Sequence, residues 1–84
     1  MKLSEYLRKE NVNKFPISVI IKANNYNDTH DEYLELSIMN RTETDNDILY
    51  EIRCITNGYS YHIGDIVWVS ETWCAKYELI KIFA

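Results

Sequence analysis

Residues 57–70 read NGYSYHIGDIVWVS, and they indicate the fold class more strongly than any other part of the chain. Asn57-Gly58 is the strongest short hairpin signal, because a type I′ turn needs positive φ at both central residues. We therefore expect a strand to return from Tyr59, with Gly64 as a bulge or kink before a strand over residues 65–69. The density of aromatic and β-branched residues in this stretch favours β-structure.

Three earlier segments alternate between apolar and polar residues, which is typical of strands with one buried face. The predicted strands cover residues 15–23, 32–40 and 47–56, separated by polar turns over residues 24–31 and 42–46. Residues 70–75 are expected to form a turn or a short helical piece, and residues 76–83 the last strand. The side chains predicted to face the core are Ile17, Val19, Ile21, Leu34, Leu36, Ile38, Ile48, Tyr50, Ile52 and Cys54.

The N-terminal segment has the spacing of an amphipathic helix. Leu3, Tyr6 and Leu7 lie at i, i+3 and i+4, which predicts a helix over residues 3–13 with Ser4 as its N-cap. One helix followed by four to five strands joined by short turns predicts an α+β fold, with the helix packed on an antiparallel sheet. A chain of 84 residues is enough for one domain only, so we expect a single domain over residues 1–84.

The chain is acidic, with a formal net charge of -4. Its acidic residues concentrate between residues 28 and 51, where Arg41 is the only base. This balance opposes binding to nucleic acid, which attracts basic surfaces. We interpret the segment either as solvated surface or as a surface that docks on a basic protein partner. The candidate partner-binding acids are Asp28, Asp31, Glu32, Glu35, Glu43, Asp45, Asp47 and Glu51.

Several aromatic residues lie close together in the last third of the chain. Exposed tryptophan and tyrosine are typical interface anchors, so Tyr59, Tyr61, Trp68 and Trp73 are candidate partner contacts. The competing interpretation is that all of them pack in the core. The same four side chains could instead line the pocket of a protein that binds a small ligand or a nucleotide derivative. A third hypothesis is a structural homodimer that pairs through an exposed strand edge.

Motifs for catalysis and metal binding are missing from the sequence. It contains no G-x-G-x-x-G, P-loop, G-x-S-x-G or H-E-x-x-H pattern. Glu43, Asp45 and Asp47 alternate as in a calcium loop, but Ile48 stands where that loop requires glycine. No nucleophile is tied to His62 by a known spacing. We therefore expect a protein that is not an enzyme and that needs no cofactor and no metal.

The cysteine content and the lack of a targeting segment bear on location. Cys54 and Cys74 belong to no C-x-x-C pair, and a small secreted disulfide scaffold would normally carry more cysteines. The sequence shows no signal peptide and no long apolar span. We expect a cytoplasmic protein with reduced thiols and no membrane partner.

Two resemblances extend this interpretation. Gly64-Asp65-Ile66-Val67-Trp68-Val69 resembles the opening of SH3-like small barrels such as Tudor and PWWP modules. That resemblance implies an aromatic cage of Tyr61, Trp68 and Trp73, which would bind cations through the faces of the rings.

The chain as a whole resembles, in type, the small acidic accessory proteins of phages and mobile elements, including anti-CRISPR and other anti-defence inhibitors. The second resemblance implies a modulator of a nucleic-acid-handling protein in the host cytoplasm, and it assigns no site residue.

Overall fold

Alternating apolar residues build the three central strands of the sheet, as the sequence predicts. In the computed structural model, which describes residues 1–8, 12–23, 32–57 and 61–83, these strands are β1 (Ile17–Ala23), β2 (Glu32–Glu43) and β3 (Ile48–Cys54). All three bury the same face, and this face forms one side of the core. Its most deeply buried side chains are Val19, Ile21, Leu34, Leu36, Ile38, Tyr50, Ile52 and Cys54.

Two edge strands complete a five-stranded sheet. They are β4 (Ile66–Ser70) and β5 (Glu78–Phe83), and the strand order is β4-β3-β2-β1-β5. Every neighbouring pair is antiparallel, which confirms the predicted sheet. The short helical piece expected before the last strand is α2 (Glu71–Cys74), whose N-cap Ser70 accepts a hydrogen bond from the backbone N–H of Trp73 at 3.2 Å.

The N-terminal helix is shorter than predicted. It is α1 (Leu3–Tyr6), whereas the sequence predicts helix over residues 3–13, of which residues 9–11 lie outside the described ranges. Lys2, rather than Ser4, is the N-cap residue, and its backbone N–H donates to the Glu5 carboxylate at 3.1 Å. The described part of the chain is therefore mostly sheet, with two helices of four residues each.

The chain on either side of the short N-terminal helix still contributes to the core. Leu3 and Leu7 have no exposed surface, and they belong to the same apolar cluster as the buried face of the sheet. Cys74 of α2 joins this cluster, and Tyr6 packs against it. The core thus lies between one face of the sheet and a thin second layer made by the N-terminal segment and α2.

Residues 1–3 are held to the edge of the sheet by an isolated antiparallel bridge to β5. The Leu3 N–H donates to the carbonyl of Tyr77, and the Leu79 N–H donates to the carbonyl of Met1, both at 2.9 Å. This pairing holds Met1 and Lys2 in an extended conformation directly before the helix.

A β-bulge interrupts the pairing of β2 with β3. Ile38 pairs with Ile52, but Asn40 pairs with Glu51, so Met39 is an extra residue on β2. An extra residue reverses the alternation of side chains in the rest of the strand. Residues beyond Met39 therefore face the side opposite to the one that the sequence alternation predicts.

This reversal brings Arg41 to the core-facing side, directly opposite Tyr50. There the Arg41 guanidinium donates to the carbonyl of Leu7 at 2.9 Å, and the Tyr50 hydroxyl donates to the same carbonyl at 3.2 Å. The guanidinium also lies over the ring of Phe15, 5.5 Å from its centre. Two side chains of the sheet thus bind the C-terminal end of α1.

The connection between β3 and β4 is longer than the two-residue hairpin that Asn57-Gly58 predicts. The strand expected to return from Tyr59 begins at Ile66 instead, and residues 58–60 lie outside the described ranges. The Asn57 side chain does take part in the connection, because its carbonyl oxygen accepts a hydrogen bond from the Ile63 N–H at 2.8 Å. Asn57 therefore contributes a side-chain hydrogen bond to a loop longer than a two-residue turn.

Gly64 forms the predicted bulge at the entry to β4. Its φ is 90°, in the left-handed region that favours glycine. The Gly64 N–H donates to the carbonyl of Cys54 at 2.8 Å, while the Cys54 N–H donates to the carbonyl of Asp65 at 2.9 Å. Two residues opposite one, with glycine first, is the pattern of a G1 bulge. The bulge sets the register in which β4 pairs with β3.

Candidate partner-binding surface

The face of the sheet that points away from the core carries exposed apolar side chains. In β4, Val69 is buried, whereas Ile66 and Trp68 point the other way and are 55% and 50% exposed. We call this side the open face, and we define it by Ile66, Trp68 and their cross-strand partners Arg53 and Glu51. Trp68, one of the predicted contacts, therefore reaches the surface.

An acidic residue of β3 is paired with Trp68 on the open face. Glu51 is its direct cross-strand partner, and such partners have Cβ atoms about 5 Å apart. The Glu51 carboxylate accepts a hydrogen bond from the Asn40 amide at 2.8 Å, on the β2 side of β3. An exposed indole ring with an acidic residue on the neighbouring strand suits an arginine or lysine of another protein, whose stem can pack on the ring while its charge meets the carboxylate.

Three more predicted acids lie at the connection between β2 and β3. Glu43 ends β2, Asp45 and Asp47 follow it, and all three are exposed. We call these three residues the acidic turn. Thr44 organises it, because the Asp47 N–H donates to the Thr44 hydroxyl at 3.0 Å and the Thr44 N–H donates to the carbonyl of Asp47 at 2.8 Å. The turn therefore presents its carboxylates from a hydrogen-bonded backbone.

The remaining acidic candidates do not join this group. Glu32 and Glu35 lie toward the other end of β2, where the Glu35 N–H donates to the hydroxyl of Thr56 at 3.0 Å. Asp28 and Asp31 lie outside the described ranges. The described acids therefore divide between the two ends of the sheet instead of forming one continuous patch.

Trp73 belongs to an aromatic cluster on the core side of the sheet. Its indole N–H donates to the Tyr61 hydroxyl at 3.1 Å, and the two rings meet edge to face with centres 6.2 Å apart. The Tyr77 ring lies 4.5 Å from the Trp73 ring on centres. Trp68 is on the opposite face, so the three residues of the expected aromatic cage do not converge. Tyr59, the fourth predicted contact, lies outside the described ranges.

Both thiols are free and buried. Burial, reinforced by the nearby Glu71 carboxylate, raises the pKa of Cys74 to about 12. Burial, with a smaller effect of Asp65, also raises the pKa of Cys54. Neither thiol is therefore activated as a nucleophile.

His62 is exposed, and its backbone N–H donates to the Asp65 carboxylate at 3.0 Å.

The native protein should react with an aromatic disulfide reagent at pH 8 far more slowly than the unfolded protein. A thiol with a pKa of about 12 is ionised to only about 1 part in 10,000 at that pH. Fast modification of the native protein would contradict the burial of the two thiols.

The same shift predicts a loss of stability at alkaline pH. The folded-state pKa of Cys74 lies above its ordinary value of 9.0, so its contribution is complete below pH 9 and falls as pH rises. The expected slope is up to about 1.4 kcal/mol per pH unit for one thiol. Urea unfolding at pH 8 and pH 10 measures the loss, and Cys74→Ala should lose less over that interval.

Ile66 and Arg53 of the open face, and Asn40 beside Glu51, are not among the contacts predicted from the sequence. Ile66 lies two residues before Trp68, so the strand alternation that places one side chain could also have placed the other. Asn40 reaches Glu51 only because the bulge at Met39 shifts the register, and no local pattern marks that bulge.

Within the described ranges, no three histidine, cysteine or acidic side chains are grouped so that they could hold a metal ion. No helix in those ranges is long and apolar enough to cross a membrane. The chain matches no family model, no curated protein and no solved structure. The candidate surface therefore rests on the geometry of the open face and of the acidic turn.

Proposed function

We propose that this chain is a non-catalytic binding protein that inhibits or modulates a protein partner with a basic surface. One observation carries the proposal: Trp68 is half exposed on the open face, and its cross-strand partner is the acidic residue Glu51. Exposed tryptophans are among the commonest interface anchors, and an adjacent carboxylate selects for positive charge. Together they supply short-range affinity and a charge preference at one place.

The acidic turn would act earlier, during the approach of the partner. Charge on Glu43, Asp45 and Asp47, within a chain of net charge -4, attracts a basic surface over distances of about a Debye length. Such attraction raises the association rate more than it raises the final affinity. The acidic turn would therefore steer the partner, and Trp68 would anchor it.

The partner class that fits this chemistry is a nucleic-acid-handling protein. Its binding groove is built to attract phosphates, and carboxylates presented along a sheet can compete for the same basic residues. An inhibitor of that kind matches the resemblance in type to phage-encoded anti-CRISPR and other anti-defence proteins. Action in the cytoplasm of the host cell is part of this proposal.

A homodimer formed through an edge strand is the second candidate function. The edge strand β4 favours it, since it lies at one end of the sheet and exposes the large apolar side chains of Ile66 and Trp68. Sedimentation as a monomer throughout the micromolar range would exclude it. The small-ligand alternative lacks a comparable observation, because Tyr61 and Trp73 pack against each other.

Affinity capture from a lysate of the native host tests the main proposal. The wild-type bait should retain a basic protein at about 50 mM salt and release most of it at about 500 mM, where charges are screened within a few ångströms. With the captured protein purified, Trp68→Ala should weaken binding by about 30-fold, as expected for an anchor worth about 2 kcal/mol.

Two variants serve as comparisons for that measurement. Tyr33→Ala removes another aromatic side chain that is 53% exposed, near the far end of β2, and it should leave the affinity within about threefold of wild type. Glu51→Gln should weaken binding at low salt and flatten its dependence on salt. Equal binding in low and high salt, or a Trp68→Ala bait as effective as wild type, would contradict the proposal.

A further inference from the structure

The outer edge of β4 is unusually suited to pairing with another strand. The strand reads Ile66-Val67-Trp68-Val69-Ser70, with no charge, no proline and no glycine, and the strand order places it at one end of the sheet. Natural edge strands commonly carry a charge or a proline that discourages further pairing. β4 contains neither a charged residue nor a proline, which makes its edge a candidate site for strand addition.

The register shows which backbone groups of β4 point outward. The hydrogen bond from the Cys54 N–H to the carbonyl of Asp65 starts the ladder between β3 and β4. Because hydrogen-bonded pairs alternate in an antiparallel ladder, Val67 and Val69 bond inward to β3. The N–H and C=O groups of Ile66 and Trp68 then point outward, and no described residue outside the sheet ladders bonds to them.

The other edge of the sheet is less suited to pairing. Residues 1–3 already cover the start of β5 through their bridge at Glu78. Ile80 is an extra residue in the pairing of β5 with β1, so the strand is bulged. Lys81 places a charge on the part that remains. Each of these features discourages strand addition.

Charge decides what kind of strand the β4 edge would accept. The uncharged strand is bounded by Asp65 at its start and Glu71 at its end, which lie about 20 Å apart along an extended chain. A second copy paired along the whole strand, symmetric about Trp68, would place Asp65 opposite the Glu71 of the other chain. Like charges in that position disfavour self-pairing, whereas a strand with basic residues at both ends would meet two carboxylates.

We propose that β4 accepts an extended segment of the basic partner as a further antiparallel strand. The segment would contain about five uncharged β-forming residues bounded by lysine or arginine, in contact with Asp65 and Glu71. The backbone of Ile66 and Trp68 would supply the hydrogen bonds, and the Trp68 ring would pack on the added side chains. This inference rests on the function proposed above and specifies how the partner binds.

Two blocked synthetic peptides test the proposal directly on the wild-type protein. One is Lys-Val-Thr-Val-Thr-Val-Lys, and the other has glutamate in place of both lysines. Titration at low salt, followed by the NMR shifts of backbone amides, should show the lysine peptide shifting the Ile66 and Trp68 amides. The glutamate peptide should bind about tenfold more weakly, because two attractive contacts become repulsive. Equal affinity of the two peptides, or no shift at millimolar peptide, would overturn the proposal.

A pair of variants at one position tests the role of the backbone. Ile66→Pro removes an N–H that points outward and gives no hydrogen bond to β3, so the sheet should tolerate it. Ile66→Ala shortens the same side chain but keeps the N–H. We expect Ile66→Pro to weaken the lysine peptide by about tenfold relative to Ile66→Ala, with both variants folded by circular dichroism. Equal binding by the two variants would overturn the proposed pairing.

The outcomes also separate this proposal from the function on which it rests. If the captured partner bound Ile66→Pro as tightly as Ile66→Ala while Trp68→Ala still weakened it, strand addition would be wrong and the binding function would stand. If the protein alone formed a dimer at micromolar concentration that Ile66→Pro abolished, a second copy would be the occupant of the edge, and the proposal of a basic strand would be overturned.

Discussion

Replacing Leu7 by alanine should lower the free energy of unfolding by about 2 to 5 kcal/mol. Leu7 has no exposed surface and lies in the same apolar cluster as the buried face of the sheet. The substitution removes buried methyl groups and leaves a cavity that a packed core fills only in part. Because a domain of this size is stable by only about 5 to 10 kcal/mol, urea unfolding should show a much earlier midpoint.

Ile63→Ala is the matched control for this measurement. It truncates an aliphatic side chain of similar size that is 65% exposed, and its effect should stay within about 0.5 kcal/mol. If Leu7→Ala changed the free energy of unfolding no more than Ile63→Ala does, the N-terminal segment would not belong to the core. The comparison therefore tests the second layer of the fold independently of the sheet.

Replacing Arg41 by methionine should cost about 1.5 to 3 kcal/mol of stability. The guanidinium donates a charged hydrogen bond to the carbonyl of Leu7 and lies over the ring of Phe15, and methionine keeps most of the aliphatic stem while removing both interactions. Arg53→Met is the control, because Arg53 is an exposed arginine of the neighbouring strand β3. An equal, small effect of the two substitutions would contradict the role of Arg41.

Arg41 and Tyr50 donate to the same carbonyl, that of Leu7, so a double variant tests this arrangement more strongly. Tyr50→Phe alone should cost about 1 kcal/mol, since the carbonyl of Leu7 keeps its bond to Arg41. Combined with Arg41→Met, it leaves that carbonyl without either donor. The double variant should therefore lose about 1 kcal/mol more than the sum of the single variants. Strict additivity in urea unfolding would show that the two donors do not share one acceptor.

The strands that can be predicted from the sequence are those whose alternation is regular. Leu34, Leu36 and Ile38 repeat at a period of two, and burying that face leaves little choice of register. The bulge at Gly64 was also predictable, because its φ of 90° is one that few residues other than glycine tolerate. These features depend on local sequence, which is why they could be predicted.

The features that could not be predicted depend on contacts between distant residues. The helix ends at Tyr6, earlier than its apolar spacing predicts, and the carbonyl of the next residue accepts hydrogen bonds from Arg41 and Tyr50 of the sheet. Nothing near Met39 marks a bulge, although that bulge reverses the direction in which Arg41 points. Which strands pair with each other also depends on long-range contacts, so the strand order could not be predicted.

The candidate site was predictable in part for the same reason. Alternation shows that Trp68 and Val69 point to opposite sides, but it does not show which side is covered. That choice is made by Leu3, Leu7 and α2, which cover the side of Val69 and leave Trp68 exposed. The sequence predicts a polar turn over residues 42–46, and Glu43, Asp45 and Asp47 are exposed around that turn, although Glu43 ends β2 and Asp47 precedes β3. The division of the acids between two ends of the sheet follows from the length of β2.

The pairing of residues 1–3 with β5 has a consequence for how the chain folds. β1, β2 and β3 are neighbours both in sequence and in the sheet, so their ladders can form early at a small entropic cost. β5 must return from the far end of the chain to reach β1, and only then can residues 1–3 bridge to it. Because the entropy of closing so long a loop must be met before the contacts form, we expect this closure to follow the pairing of the central strands. A change that weakens the bridge of residues 1–3 should then mainly speed unfolding and leave the folding rate nearly unchanged.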